Sequence, residues 1–250
     1  MINSIFGTLG TLDYYIYTLY SPYFLIITIL LKNMCLPAIL LYISRSNDYI
    51  IQGERNTDLV SYSHLSTVTY NSIFQLVSLL VVRYVSNDTS IGYEVLLFIP
   101  NTFIFEVGFD FFHYIVHRLL HANPLIYRLT HKYHHQDYTI SILTTFHHTI
   151  ADLLLTNLLP LVFTAYIYPL PLYTYIVWLW YKTLIEMGGH SGKYGKSSSF
   201  TQCIWIPRIL GIEMYSDNHN MHHTNPGCNF SKRFALWDKI FGTFRDGFVN

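Results

Sequence analysis

Long apolar stretches separated by short polar ones dominate the first two thirds of the chain. Tyr23–Ile43, Val68–Val85 and Tyr93–Val116 each come close to the ~20 residues that cross a bilayer as a helix. Lys32 and Asn33 interrupt the first stretch, which predicts a bent or shallow helix there. Pro100 lies near the middle of the third, with Asp110 and His113 near its end. Ile150–Tyr168 and Leu172–Met187 predict a helical hairpin turning at Pro169-Leu170-Pro171. The intervening His117–His148 is too polar to span, and His190–Asn250 reads as a polar cap. The pattern predicts an all-α integral membrane bundle of about four transmembrane helices carrying a cap.

Composition supports this. Only 12% of residues are charged, against about 25% in soluble domains. Formal net charge is zero, so nothing points to a nucleic-acid partner. Cys35, Cys203 and Cys228 form no spaced pair, which argues against a disulfide framework and a Cys-rich zinc site. No basic segment precedes the first apolar stretch, so no cleaved signal peptide is expected. Of 15 Lys and Arg, 11 lie from Arg118 onward, and Arg45 and Arg55 lie between the first two stretches. The positive-inside rule places both groups in the cytoplasm. That topology faces every histidine cluster to the cytosol and makes Asn87-Asp88-Thr89 a luminal glycosylation sequon.

The histidines change the picture most. Twelve of 13 lie between positions 113 and 223; His64 alone is outside and reads as an ordinary surface or core residue. Asp110, His113, His117 and His121 recur every three or four residues, one stripe of a helix. His131-Lys132-Tyr133-His134-His135 and His219-Asn220-Met221-His222-His223 both read HxxHH, again one helical face each. At this histidine frequency, chance gives about 0.035 such matches in the chain, so two are not a compositional accident. Imidazole suits zinc, iron, copper and nickel. Nine clustered histidines exceed the four ligands of one zinc, so two metals with four or five ligands each fit better. Asp110, Asp217 and Asn218 are candidates to accept the second ring N–H of the ligands; Asp217 and Asn218 also suit the N-cap before His219.

At these motifs the chain resembles the sterol desaturase/fatty acid hydroxylase superfamily. HRLLH at His117–His121, HKYHH at His131–His135 and HNMHH at His219–His223 match its three histidine boxes. His190-Ser191-Gly192, Cys228-Asn229-Phe230 and Trp237–Thr243 match further elements. The resemblance covers Phe103–Arg245 and is strongest to C-4 methylsterol oxidases and sterol hydroxylases. It implies N-terminal membrane spans over 1–100 and a catalytic domain over 101–250. By resemblance the metal ligands are His117, His121, His131, His134, His135, His190, His219, His222 and His223, with His113, His147 and His148 as further candidates. No catalytic residue is expected beyond the ligands.

The resemblance also implies a dimetal centre of two iron ions, with zinc the alternative in a purified or non-native form. O2 is the implied co-substrate, and electrons come from cytochrome b5 or a reductase. A lipid reaches the site from the bilayer of the endoplasmic reticulum, and Phe163, Tyr166, Tyr173, Trp178 and Trp180 are candidates to line its path. The plainer reading of each ring is a lipid-facing or core aromatic. The chain departs from the family at His148-Thr149-Ile150-Ala151-Asp152, where His-Pro-x-Glu is usual, and at Lys193, where tyrosine is usual. The boxes fit sterol C-5 desaturation or fatty acyl hydroxylation equally. A di-zinc membrane hydrolase and a non-catalytic metal-binding membrane protein are the alternatives of other classes.

Overall fold

A computed structural model describes residues 22–43, 62–86, 89–136, 142–190 and 199–246. Several positions singled out above lie outside the described residues: Arg45 and Arg55, Asn87 and Asp88 of the sequon, and Ser191-Gly192-Lys193.

Among the described residues all regular structure is helical. The order is α1 (Pro22–Ile43), α2 (Tyr62–Val85), α3 (Ile91–Leu96), α4 (Phe98–Ala122) and α5 (Pro124–Thr130). After a 3-10 turn at Ile142–Phe146 come α6 (Ile150–Asp152), a π-helical stretch (Leu153–Leu158), α7 (Leu159–Ile167) and α8 (Leu172–Gly189). The C-terminal region adds α9 (Trp205–Ile209), α10 (Ser216–Thr224) and α11 (Leu236–Ile240).

Two helical stretches, Val68–Val85 and Ile150–Ile167, are long and apolar enough to cross a membrane. Only 22% and 39% of their positions are buried, whereas an all-apolar helix in a soluble core is covered on every side. Helix α1 is apolar over the shorter Ile26–Leu36. It runs as one continuous helix through Lys32 and Asn33, both of them buried. Both side chains find partners. Lys32 Nζ donates to Gln75 Oε1 (2.8 Å) and Thr183 Oγ1 (2.7 Å), and Asn33 Nδ2 donates to Ser72 Oγ (2.9 Å).

The expected span Tyr93–Val116 is corrected. The chain breaks at Leu97 between α3 and α4, and Pro100 sits in the first turn of α4, where its missing N–H costs nothing. Buried acids on either side of the break tie this segment to protein rather than lipid. Glu94 accepts from the Thr174 N–H (2.8 Å) and hydroxyl (3.0 Å), holding the first turn of α8. Glu106 accepts from Trp178 Nε1 (2.9 Å) and Gln202 Nε2 (3.0 Å). The C-terminal region is therefore more than an end cap. Its Phe200, Ile212 and Phe234 pack with Ile99, Phe103 and Val107 along the flank of α4.

The main core lies where α2, α4, α7 and α8 meet, around Leu79, Phe105, Phe109, Leu161, Tyr175 and Trp178. Gly108 lets α4 approach α7, since a Cβ there would lie 3.2 Å from Thr164 Cγ2. The turn between α7 and α8 falls at the two prolines, as their chemistry dictates.

Two buried carboxylates fix the C-terminal region. Asp110 accepts from the backbone N–H of Lys232 (2.7 Å), Arg233 (2.8 Å) and Phe234 (3.0 Å). Asp238 accepts from the N–H of Phe230 and Ser231, both at 2.8 Å. Consecutive N–H groups from Phe230 to Phe234 are thus held by two side chains. Asp110→Ala leaves those of Lys232, Arg233 and Phe234 without this partner, and we expect a loss of about 3–5 kcal/mol. The thermal midpoint of the detergent-solubilised protein measures this, and Asp110→Asn, which keeps one acceptor oxygen, should fall between the two. An unchanged midpoint for the alanine variant would contradict the clamp.

Candidate metal centre

Helix α4 presents its histidines as a stripe, and backbone carbonyls from distant segments orient them. His117 Nδ1 donates to Phe230 O (2.7 Å). His113 Nδ1 donates to Thr156 O (2.7 Å) in the π-helical stretch, a departure from α geometry often found beside functional sites. The third box lies on α10, as its spacing predicts. The second does not lie on a helix. His131–Gln136 form successive turns, with His134 N–H bonded to His131 O (3.0 Å) and His135 N–H to Lys132 O (3.1 Å). These i→i+3 bonds wind tighter than an α-helix.

Nine histidines gather into two groups. His117, His121, His131, His135 and His222 form one; His134, His190, His219 and His223 form the other. Within each group the potential ligand atoms lie within 4.8 Å of one another. Each HxxHH box is split between them: His131 and His135 go to the first group and His134 to the second, while His219 and His223 go to the second and His222 to the first. The groups adjoin, with the His135 and His223 rings 4.6 Å apart.

The hydrogen bonds set the tautomers. A carbonyl can only accept, so a ring nitrogen against one carries the proton and leaves the other bare. Besides His117, this applies to His222 (Nδ1 to Cys228 O, 2.7 Å), His190 (Nδ1 to Glu186 O, 2.9 Å) and His134 (Nδ1 to His147 O, 3.2 Å). His131 Nδ1 meets Asp152 Oδ1 at 2.8 Å. The bare Nε2 atoms of His117 and His131 then face each other at 2.9 Å, and the buried Nε2 of His222 has no hydrogen-bond partner. Two lone pairs at that distance repel unless a cation lies between them. Burial and the neighbouring imidazoles oppose protonation of His117 and of several rings around it. His222 is pushed down to about 3 and His190 to about 4, and His134, His135, His219 and His223 are also lowered. A set of neutral, inward-facing imidazoles fits metal ions, and five donors in one group exceed the four of a structural zinc.

The further candidates take other positions. His113 lies beside the first group, its ring 5.1 Å from that of His117, and belongs to neither. His147 offers its carbonyl to His134. His148 stacks on His134 at 4.4 Å and donates to Asp152 Oδ2 (2.6 Å), so that His134, His148 and Asp152 form a smaller third group.

The expected orienting groups are corrected. Asp110 serves backbone N–H groups rather than a ring, because it faces the 232–234 segment. Asn218 accepts from the Tyr215 N–H (2.9 Å) and so starts α10, and Asp217 makes no ring contact through its unpartnered Oδ1. The carboxylate that does hold rings is Asp152, which bridges His131 and His148. Its spacing of four from His148 is the readable signal; the carbonyl partners leave none. Glu186, whose carbonyl holds His190, is itself paired with Lys182 and Lys232. Of the hairpin aromatics, Trp178 is a fully buried core ring, while Phe163, Tyr166 and Trp180 are exposed.

Residues 102–243 match the family described as Fatty acid hydroxylase. Among curated proteins the chain is similar to fatty acid hydroxylase vlmA of Lecanicillium sp, 31% identical over 57% of this chain and 41% of that protein. It is similar to cholesterol 25-hydroxylase of Homo sapiens, 28% identical over 62% of this chain and 55% of that protein. Methylsterol monooxygenase 1 of Rattus norvegicus is 31% identical over 54% and 43% respectively. The chain thus spans about half the length of the curated relatives it matches. No solved structure matches it.

The site yields a metal-content prediction. Purified protein should carry two metal ions per chain by elemental analysis. His222→Ala should empty the first group and His134→Ala the second. Asp152→Ala should weaken binding about 10–100-fold through the freed rings. Equal metal content in all four proteins would contradict the assignment.

Proposed function

Because the chain belongs to the fatty acid hydroxylase family, we propose that it is a membrane-embedded dimetal oxygenase that hydroxylates a lipid, most specifically a sterol. The observation that carries this is the pair of adjoining histidine groups with bare nitrogens turned inward. When bound there, two iron ions would supply O2 activation, so that a C–H bond, O2, two electrons and two protons give an alcohol and water. The nine histidines hold the ions. Asp152 and the carbonyls of Phe230, Cys228, Glu186 and His147 fix the ring orientations before any ion arrives. Holding the rings in advance avoids a reorganisation cost at the moment of reaction.

The chain's apolar surface supports a membrane setting, with α2 and the α6–α7 stretch as spans and α1, α4 and α8 completing the helical bundle. The charge bias favours a cytosolic face for the metal groups, and the family likeness favours the endoplasmic reticulum, where cytochrome b5 or a reductase would deliver electrons. The lipid would enter from the bilayer. A crevice lined by Phe74, Leu153, Leu158, Leu161 and Leu179 opens between α2, the π-helical stretch and α8, with Asn157 and Lys182 among its lining polar groups.

The sterol reading draws on relatives named for cholesterol and methylsterol, and a relative named for fatty acids favours acyl hydroxylation as the second reading. Mass-spectrometric lipid profiling of cells expressing the protein or His134→Ala separates them. A hydroxylated or C-4-demethylated sterol, absent with the variant, is expected. An unchanged sterol profile with altered acyl chains would shift the reading to fatty acids. Substrate turnover without O2 uptake would replace the oxygenase by a hydrolase.

A further inference from the structure

Helix α5 is formed by sequence but left uncovered by the fold. Asn123 caps it, its side chain accepting from the N–H of Leu125 (3.0 Å) and Ile126 (3.1 Å), and Pro124 fills the first position. Yet no residue of α5 is buried. Leu125, Ile126 and Leu129 are 64%, 41% and 68% exposed. The adjoining Leu119, Ile150 and Leu154 are exposed too, so the apolar surface continues from α4 across α5 to the start of the stretch Ile150–Ile167. Thr149 Oγ1 donates to Thr130 O (2.8 Å), tying α5 to that stretch.

Charge accompanies this surface. Arg118, Arg128 and Lys132 are exposed, and no Asp or Glu occurs from Phe111 to Gln136. Exposed aliphatic side chains beside exposed cations are the chemistry of a helix lying in an anionic headgroup layer. A second copy is a poor occupant, because a two-fold contact would bring like charges together. Helix α5 also reaches the metal centre: the Tyr127 ring lies 5.0 Å from that of His121 and 5.8 Å from that of His135.

We propose that α5 is an interfacial anchor that binds anionic phospholipid headgroups and seats the first histidine group against the membrane surface. The proposal rests on the membrane reading above but not on the reaction. Its test uses the metal-loaded full chain, one copy per nanodisc, in phosphatidylcholine with and without phosphatidylserine. A nitroxide-bearing amino acid replaces Leu129, and in a control protein Thr224, an exposed residue at the end of α10. Collisions with O2 and with a water-soluble nickel chelate report depth.

The O2-to-nickel collision ratio at 129 should exceed that at 224 by about an order of magnitude. It should rise further with phosphatidylserine, and Arg128→Gln with Lys132→Gln should remove that rise. Equal ratios at 129 and 224 in both lipids would overturn the anchor. Protection that ignores phosphatidylserine would overturn headgroup binding. Protection seen only with two copies per disc would replace the membrane by a protein contact. A chain that does not enter discs overturns the membrane reading and the anchor with it, whereas a protected site in a chain without O2 uptake supports the anchor and counts against the reaction alone.

Discussion

The imidazole nitrogens of His117 and His131, turned toward each other at 2.9 Å inside a buried space, are the constraint on which the arrangement depends. Water cannot relieve it at that spacing, and protonation is opposed by burial. The rings are held there by bonds made on their far sides, so the fold supplies the positioning force and a cation supplies the stabilisation. This explains why carbonyls from residues as distant as Thr156, Glu186 and Phe230 converge on rings from α4 and the end of α8. The centre is assembled by tertiary contacts among helices that have little else in common.

Part of this is legible in the sequence. Residues three and four apart on α4 and α10 do share a helical face, and the Pro169–Pro171 turn falls where expected. Periodicity cannot show that the His131–His135 box adopts tighter turns, because a five-residue motif carries too few positions to distinguish them. Nor can it show that each box divides between two groups. The ring-orienting partners are hidden for a different reason: Phe230, His147, Glu186 and Cys228 act through backbone carbonyls, which any residue possesses. Asp110 is visible as an acid on the histidine stripe, but its partners Lys232, Arg233 and Phe234 lie far along the chain, beyond local reasoning.

The polar positions within apolar helices follow one rule. Lys32, Asn33, Glu94, Glu106 and Asp110 are all buried, and each meets a partner on another element. They fix which helix faces which, a specificity that apolar packing alone supplies poorly. The cost of mispairing any one of them is an unsatisfied polar group in the bundle.

The clamp on residues 230–234 has a consequence for biosynthesis. Synthesis proceeds from the N-terminus, and α4 emerges long before its partners. Until Asp238 has been made, the Phe230 carbonyl has no fixed place, and His117 lacks the bond that turns its ring. His222 joins the first group only at the same late stage. Completion of the first group is therefore tied to synthesis of the segment up to Asp238, so a metal supply must meet a chain on which α4 has long since emerged.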